Sequence, residues 1–154
     1  MLCYYFLLSA VLIVIFVFDL KYYLIPGKVL FFGILISILF NVLLFWEVLI
    51  SKILGALLFG SFFLFQYLLS KGKWIGFGDI KLGAFLGFVL GWKLSLVNLF
   101  LSYLIGAIIS IGLIASQKKT LKSEIPFGPI LIIGFFVSLL WGNKIILWYF
   151  NLFS

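Results

Sequence analysis

Long apolar runs closed by single charges divide this chain into six segments. Met1 to Phe18 is uncharged and ends at Asp19, Val29 to Trp46 lies between Lys28 and Glu47, and a third run lies between Lys52 and Lys71. The fourth, between Lys73 and Lys93, is interrupted by Asp79 and Lys81, and Leu94 to Gln117 and Ile125 to Asn143 follow. A bilayer core about 30 Å thick takes roughly 20 apolar residues as helix. The pattern therefore predicts an all-α, polytopic membrane bundle of about six transmembrane helices, forming a single domain over residues 1–154. After Lys144 the tail Ile145 to Ser154 is too short to cross alone. Its Trp148, Tyr149 and Phe150 suit the lipid interface or an extension of the sixth helix. The first run has no basic leading segment and no small-residue cleavage site, which predicts a retained helix and not a removed signal peptide.

Composition narrows the chemistry. The 154 residues are 66% hydrophobic and 10% charged, with 11 basic residues, no His, one Cys (Cys3) and four carboxylates: Asp19, Glu47, Asp79 and Glu124. Ser-His-Asp and Cys-His catalysis, a His/Cys zinc site and an internal disulfide are thereby excluded, and no metal or cofactor is expected. The formal charge of +7 does not indicate nucleic acid. The lysines come singly or in small groups between apolar runs, as membrane-surface anchors do.

Span parity orders the charges. The connections after spans one, three and five hold Lys21, Lys28, Lys71, Lys73, Lys81, Lys118, Lys119 and Lys122, and the opposite side holds Lys52, Lys93 and Lys144. Lysine excess marks the cytoplasmic face, so both termini are expected outside. Asp19, Asp79 and Glu124 are separated by even numbers of spans and share that face, whichever way the bundle is inserted. Glu47 is alone opposite.

Two of these carboxylates stand in unusual surroundings. Asp79 lies six residues beyond Lys73, roughly 9 Å deep if helical. A carboxylate at such depth costs a few kcal/mol unless it is neutralised, paired or facing water. Gly76 and Gly78 weaken helix there and permit irregular backbone. Asp19 closes the first span ahead of Pro26, which biases Ile25 toward extended backbone. The structural readings are an interfacial pair of Asp19 with Lys21, and a turn-closing pair of Asp79 with Lys81 or Lys73. The functional reading makes Asp19 and Asp79 a proton-sharing pair, one activating water and the other polarising a peptide carbonyl. Separately, Gly83, Gly87 and Gly91 form a small-residue stripe suited to close helix packing.

Asp19 with Ile25-Pro26, and Gly76-Phe77-Gly78-Asp79-Ile80-Lys81-Leu82, resemble the two aspartate motifs of the type IV prepilin peptidases, membrane aspartic proteases with a GxGD signature. Glu124-Ile125-Pro126-Phe127-Gly128-Pro129 resembles the stretch after their fifth span. The resemblance implies a peptidase in the inner (plasma) membrane, with its active site facing the cytoplasm. It would cut the leader of prepilins or pseudopilins between a basic segment and a hydrophobic helix. Asp19 and Asp79 would be the catalytic pair, Gly76 and Gly78 would give the Asp79 loop freedom, and Lys81 would match the motif as a tuning or anchoring residue. Glu124 would help bind the basic leader, or serve only as a cap or as a partner of Lys122. Longer relatives carry an N-terminal region with paired Cys motifs linked to methylation. This chain's single Cys and immediate first span imply peptidase without methyltransferase activity. Lipid is an expected partner, nucleic acid is not, and the oligomeric state is open. Two other readings of the same residues stay open: a small transporter or assembly subunit using Asp79 as a buried proton or ion site, and a presenilin-like protease of general transmembrane helices.

Overall fold

The computed structural model describes residues 2–44, 46–116 and 126–152. Among these, six α-helices are arranged as a membrane bundle and no strand occurs: α1 (Leu2–Tyr22), α2 (Gly27–Leu44), α3 (Leu49–Ser70), α4 (Phe77–Leu90), α5 (Trp92–Ala115) and α6 (Gly128–Asn151). A single 3-10 turn, Trp46–Val48, carries Glu47 between α2 and α3. The stretches Cys3–Tyr22, Trp46–Ser70, Trp92–Ala115 and Gly128–Asn151 are long and apolar enough to cross a membrane. The tail expectation resolves as an extension, because α6 continues through Asn151.

The fourth segment differs from the simple run-length reading. Its helix has 14 residues, about 21 Å at 1.5 Å per residue, short of the roughly 30 Å hydrocarbon core. It starts only at Phe77, after an irregular connection in which Lys71 and Gly72 adopt left-handed backbone (φ 51° and 75°). It ends at Gly91, whose φ of 76° turns the chain directly into α5. Leu82, Phe85, Leu86, Val89 and Leu90 are all buried, so from Leu82 onward α4 is apolar and enclosed by its neighbours, as expected of an internal helix.

The glycine stripe explains how α4 is held. A Cβ at Gly87 would collide with the backbone carbonyl of Gly55, one at Gly83 would enter the Phe63 ring, and one at Gly91 would meet Ser51 Oγ. Gly55, Phe59 and Phe63 are on the buried face of α3, so the two helices pack closely along α4 and touch backbone to backbone where Gly55 meets Gly87 and Gly91. Without a hydrophobic driving force between helices in lipid, such close approach is a main source of association. The same register puts the start of α4 beside the ends of α1 and α3.

A branched side chain at this contact has nowhere to go. Gly87→Val is expected to lower stability by about 1–3 kcal/mol, read as a lower unfolding temperature in detergent micelles. Gly27→Ala, where an added Cβ meets nothing within 4 Å, serves as the tolerated control, and an unchanged Gly87→Val variant would contradict the packing.

Candidate active site

The end of α1, the turn into α2 and the start of α4 enclose a partly open cavity of about 230 Å³. One wall is Asp19, Tyr23, Leu24 and Ile25, and the other is Gly76, Phe77, Gly78 and Asp79. The parity expected for the two aspartates is realised as a shared cavity. Glu47, in the turn between α2 and α3, is at the other end of the bundle, and Glu124 lies outside the described residues.

Each wall has a local cause. The backbone N–H of Tyr23 donates to the Asp19 carbonyl at 2.9 Å, and Tyr23 itself adopts φ 54°, uncommon for a bulky residue. This left-handed step stops α1. Leu24 and Ile25 then run without helix ahead of Pro26, whose carbonyl accepts the Leu30 N–H at 3.0 Å and opens α2. On the other wall Gly76 caps α4, and its N–H donates to Asp79 Oδ2 at 3.1 Å. A carboxylate in a first turn also complements the helix dipole. Asp79 therefore caps its own helix while lining the cavity.

The expected glycine roles change in kind. Gly76 has φ −74° and ψ 153°, an extended conformation open to any residue, and Gly78 lies within the first turn of α4. Space is the constraint at Gly78, where an added Cβ would sit 3.1 Å from Ile25 Cβ. Its hydrogen atom lets the α1–α2 turn close against α4. Lys81 does not provide the turn-closing pair; it is exposed, and its ammonium lies over the Phe77 ring, 4.8 Å from the centroid.

Asp19 is only 5% exposed. Its Oδ2 accepts the backbone N–H of Gly128 at 3.0 Å, a contact from the start of α6 that motif reading did not supply. Parity contained the signal: α6 begins on the same side as Asp19, and free amides at a helix start suit an anion. A Cβ at Gly128 would come within 2.5 Å of Asp19 Oδ2, so glycine is the residue that allows this approach. Among the described residues, the hydrogen bonds to both aspartates run to Oδ2, which leaves each an Oδ1 for water or a ligand.

Asp79 lies outside the four candidate spans. Burial first, and then the neighbouring Asp19 charge, push its carboxyl up to about 6, against the lowering effect of the Gly76 amide. Two carboxylates lining one small cavity thus make ionising both more costly than ionising either alone. Among the described residues no cluster of three or more His, Cys, Asp or Glu could hold a metal.

The model of the type IV leader peptidase family matches residues 6–111. A prepilin leader peptidase/N-methyltransferase of Aeromonas salmonicida is 46% identical over 82 residues, 53% of this chain and 28% of the relative. One from Pseudomonas aeruginosa is 38% identical over 84 residues, covering 54% and 29%. One from Bacillus subtilis is 30% identical over 140 residues, covering 91% and 56%. The chain thus spans between about a quarter and just over half the length of these relatives. No solved structure matches.

The raised Asp79 value has a pH consequence. The folded state keeps the proton to a higher pH than the unfolded chain, whose aspartates titrate near roughly 4. This contribution to stability is complete below that value and is lost as pH rises through about 6, because the unfolded state then gains from ionising first. Asp79→Asn should flatten the unfolding temperature across this window. Asp19→Asn should lower the Asp79 midpoint, read by carboxyl ¹³C NMR; an unmoved midpoint would show that the two charges do not interact.

Proposed function

This chain belongs to the type IV leader peptidase family, and on that premise we propose that it cleaves the leader of type IV prepilins or pseudopilins by a two-aspartate mechanism. The observation that carries this reading is the single cavity lined by Asp19 from α1 and Asp79 from α4. With one proton shared, the ionised carboxylate takes a proton from water as the water attacks the scissile carbonyl. The protonated carboxyl donates a hydrogen bond to the carbonyl oxygen. Collapse of the tetrahedral intermediate then breaks the C–N bond as the leaving amine is protonated.

The surroundings support that chemistry. The Gly128 and Gly76 amides fix one oxygen of each aspartate, so the pair is oriented before a substrate arrives. The cavity is walled by Leu24, Ile25 and Phe77 as well as by the carboxylates, which suits a substrate whose cleavage point adjoins a hydrophobic helix. Lys21, Lys28, Lys71, Lys73 and Lys81 cluster at the cavity end in the chain order of the helices, and Lys52, Lys93 and Lys144 at the other. That imbalance supports an inner-membrane protein with the cavity on the cytoplasmic side. Methyl transfer is not assigned to this chain, whose single cysteine supplies no paired motif.

Asp19→Asn and Asp79→Asn should each reduce cleavage of a coexpressed prepilin by a factor on the order of 10²–10⁴, with the protein still inserted in membrane. Gly128→Ala should also cut the rate, since its methyl would displace Asp19. Mass analysis of the released pilin locates the cut, and normal processing by either aspartate variant would refute the mechanism.

A further inference from the structure

The amide that holds Asp19 is itself held by one side chain. Phe127 is the N-cap of α6 and immediately precedes Gly128, and its carbonyl accepts the Leu131 N–H at 3.0 Å. Its ring inserts between α3 and α5. The centroid lies 5.3 Å from Tyr103 and 6.0 Å from Phe63, at 58° and 70°, the tilted and edge-on arrangements that aromatic pairs favour. Gly106 forms the floor, where an added Cβ would lie 3.6 Å from Phe127 Cε2.

Both walls of this recess are anchored. Phe63 is fully buried and is also the ring that fills the space over Gly83. Tyr103 is held on α5 by its hydroxyl, which donates to Gln66 Oε1 at 2.8 Å, and by an edge contact with Phe62 at 5.9 Å. Phe127 therefore fastens the start of α6 to the α3–α5 pair, and one residue later the chain presents its amide to Asp19.

We infer that Phe127 is a positioning residue for the aspartate pair: seated between Phe63 and Tyr103 over Gly106, it keeps the Gly128 amide on Asp19 Oδ2. This rests on the peptidase reading for its effect on rate, but not for its effect on the amide. The Phe127 ring sits in the recess and not among the residues lining the cavity, so its loss acts on turnover through Asp19 and leaves substrate affinity alone. Widening the recess and filling it should have the same consequence by opposite steric routes. Phe127→Ala empties it, and Gly106→Leu pushes the ring out from a different helix.

The test uses full-length protein in detergent micelles, labelled with ¹⁵N-glycine, and a synthetic prepilin peptide comprising leader and hydrophobic segment. In the wild type the Gly128 amide proton should resonate downfield, as expected of a donor to a carboxylate. Phe127→Ala and Gly106→Leu should each lose that downfield shift and lower kcat roughly ten- to hundredfold, the scale of a hydrogen bond to a charged group, with KM little changed. Phe127→Tyr, which keeps the ring, should restore both readouts. A Gly128 amide unmoved in folded Phe127→Ala and Gly106→Leu protein overturns the inference, as does a change confined to KM. Absence of cleavage by the wild type would instead refute the peptidase reading, while the amide shift would still decide the role of Phe127.

Discussion

The hydrogen bond from the Gly128 amide to Asp19 Oδ2, 3.0 Å long, joins residues 109 positions apart, and the geometry of the cavity depends on it. A carboxylate that is nearly buried must find a partner or lose its charge. Among the described residues Asp19 finds the unpaired donor that a helix start provides, which satisfies an orphan amide of α6 and a carboxylate oxygen of α1 together. Glycine is required because any Cβ would occupy the carboxylate's place, and the aromatic recess around Phe127 holds that glycine in position.

A second constraint brings Asp79 to the same place. The α3–α4 contact is so close that Gly55 and Gly87 meet through their backbones, and this fixes both the height and the rotation of a helix too short to cross a membrane by itself. Gly76 and Asp79 then cap its first turn. The structural role of Asp79 and the chemical role proposed for it are therefore compatible. One carboxylate oxygen ends a helix, and the proposed mechanism uses the other. The cap weakens but does not cancel the effects of burial and of the neighbouring Asp19.

These two constraints meet at Ile25 and Gly78. The left-handed turn at Tyr23 and Pro26 behind it direct Ile25 to the cavity wall, and the missing side chain at position 78 lets α4 start against it, where an added Cβ would lie a tight 3.1 Å from Ile25 Cβ. The GxGD segment is thus a packing motif as much as a loop. Its first glycine donates an N–H and its second admits Ile25, whereas greater backbone freedom is used elsewhere, at Gly72 and Gly91, both with positive φ.

The sequence by itself determined that this is a helical membrane bundle, because apolar runs of bilayer length leave few other folds. It also determined that Asp19 and Asp79 share a side, since that follows from counting spans, and that the Gly83-Gly87-Gly91 stripe faces another helix. It indicated irregular backbone before the fourth helix but not where α4 begins, because run length counts residues without seeing where an irregular connection ends, and it did not indicate the cation–π placement of Lys81. Only the tertiary structure decided what satisfies Asp19 and what steadies that partner. Gly128, Phe127, Phe63 and Tyr103 come from three helices distant in sequence, and a buried charge is settled by whichever donors the packing brings within 3 Å, a through-space condition that no local pattern encodes.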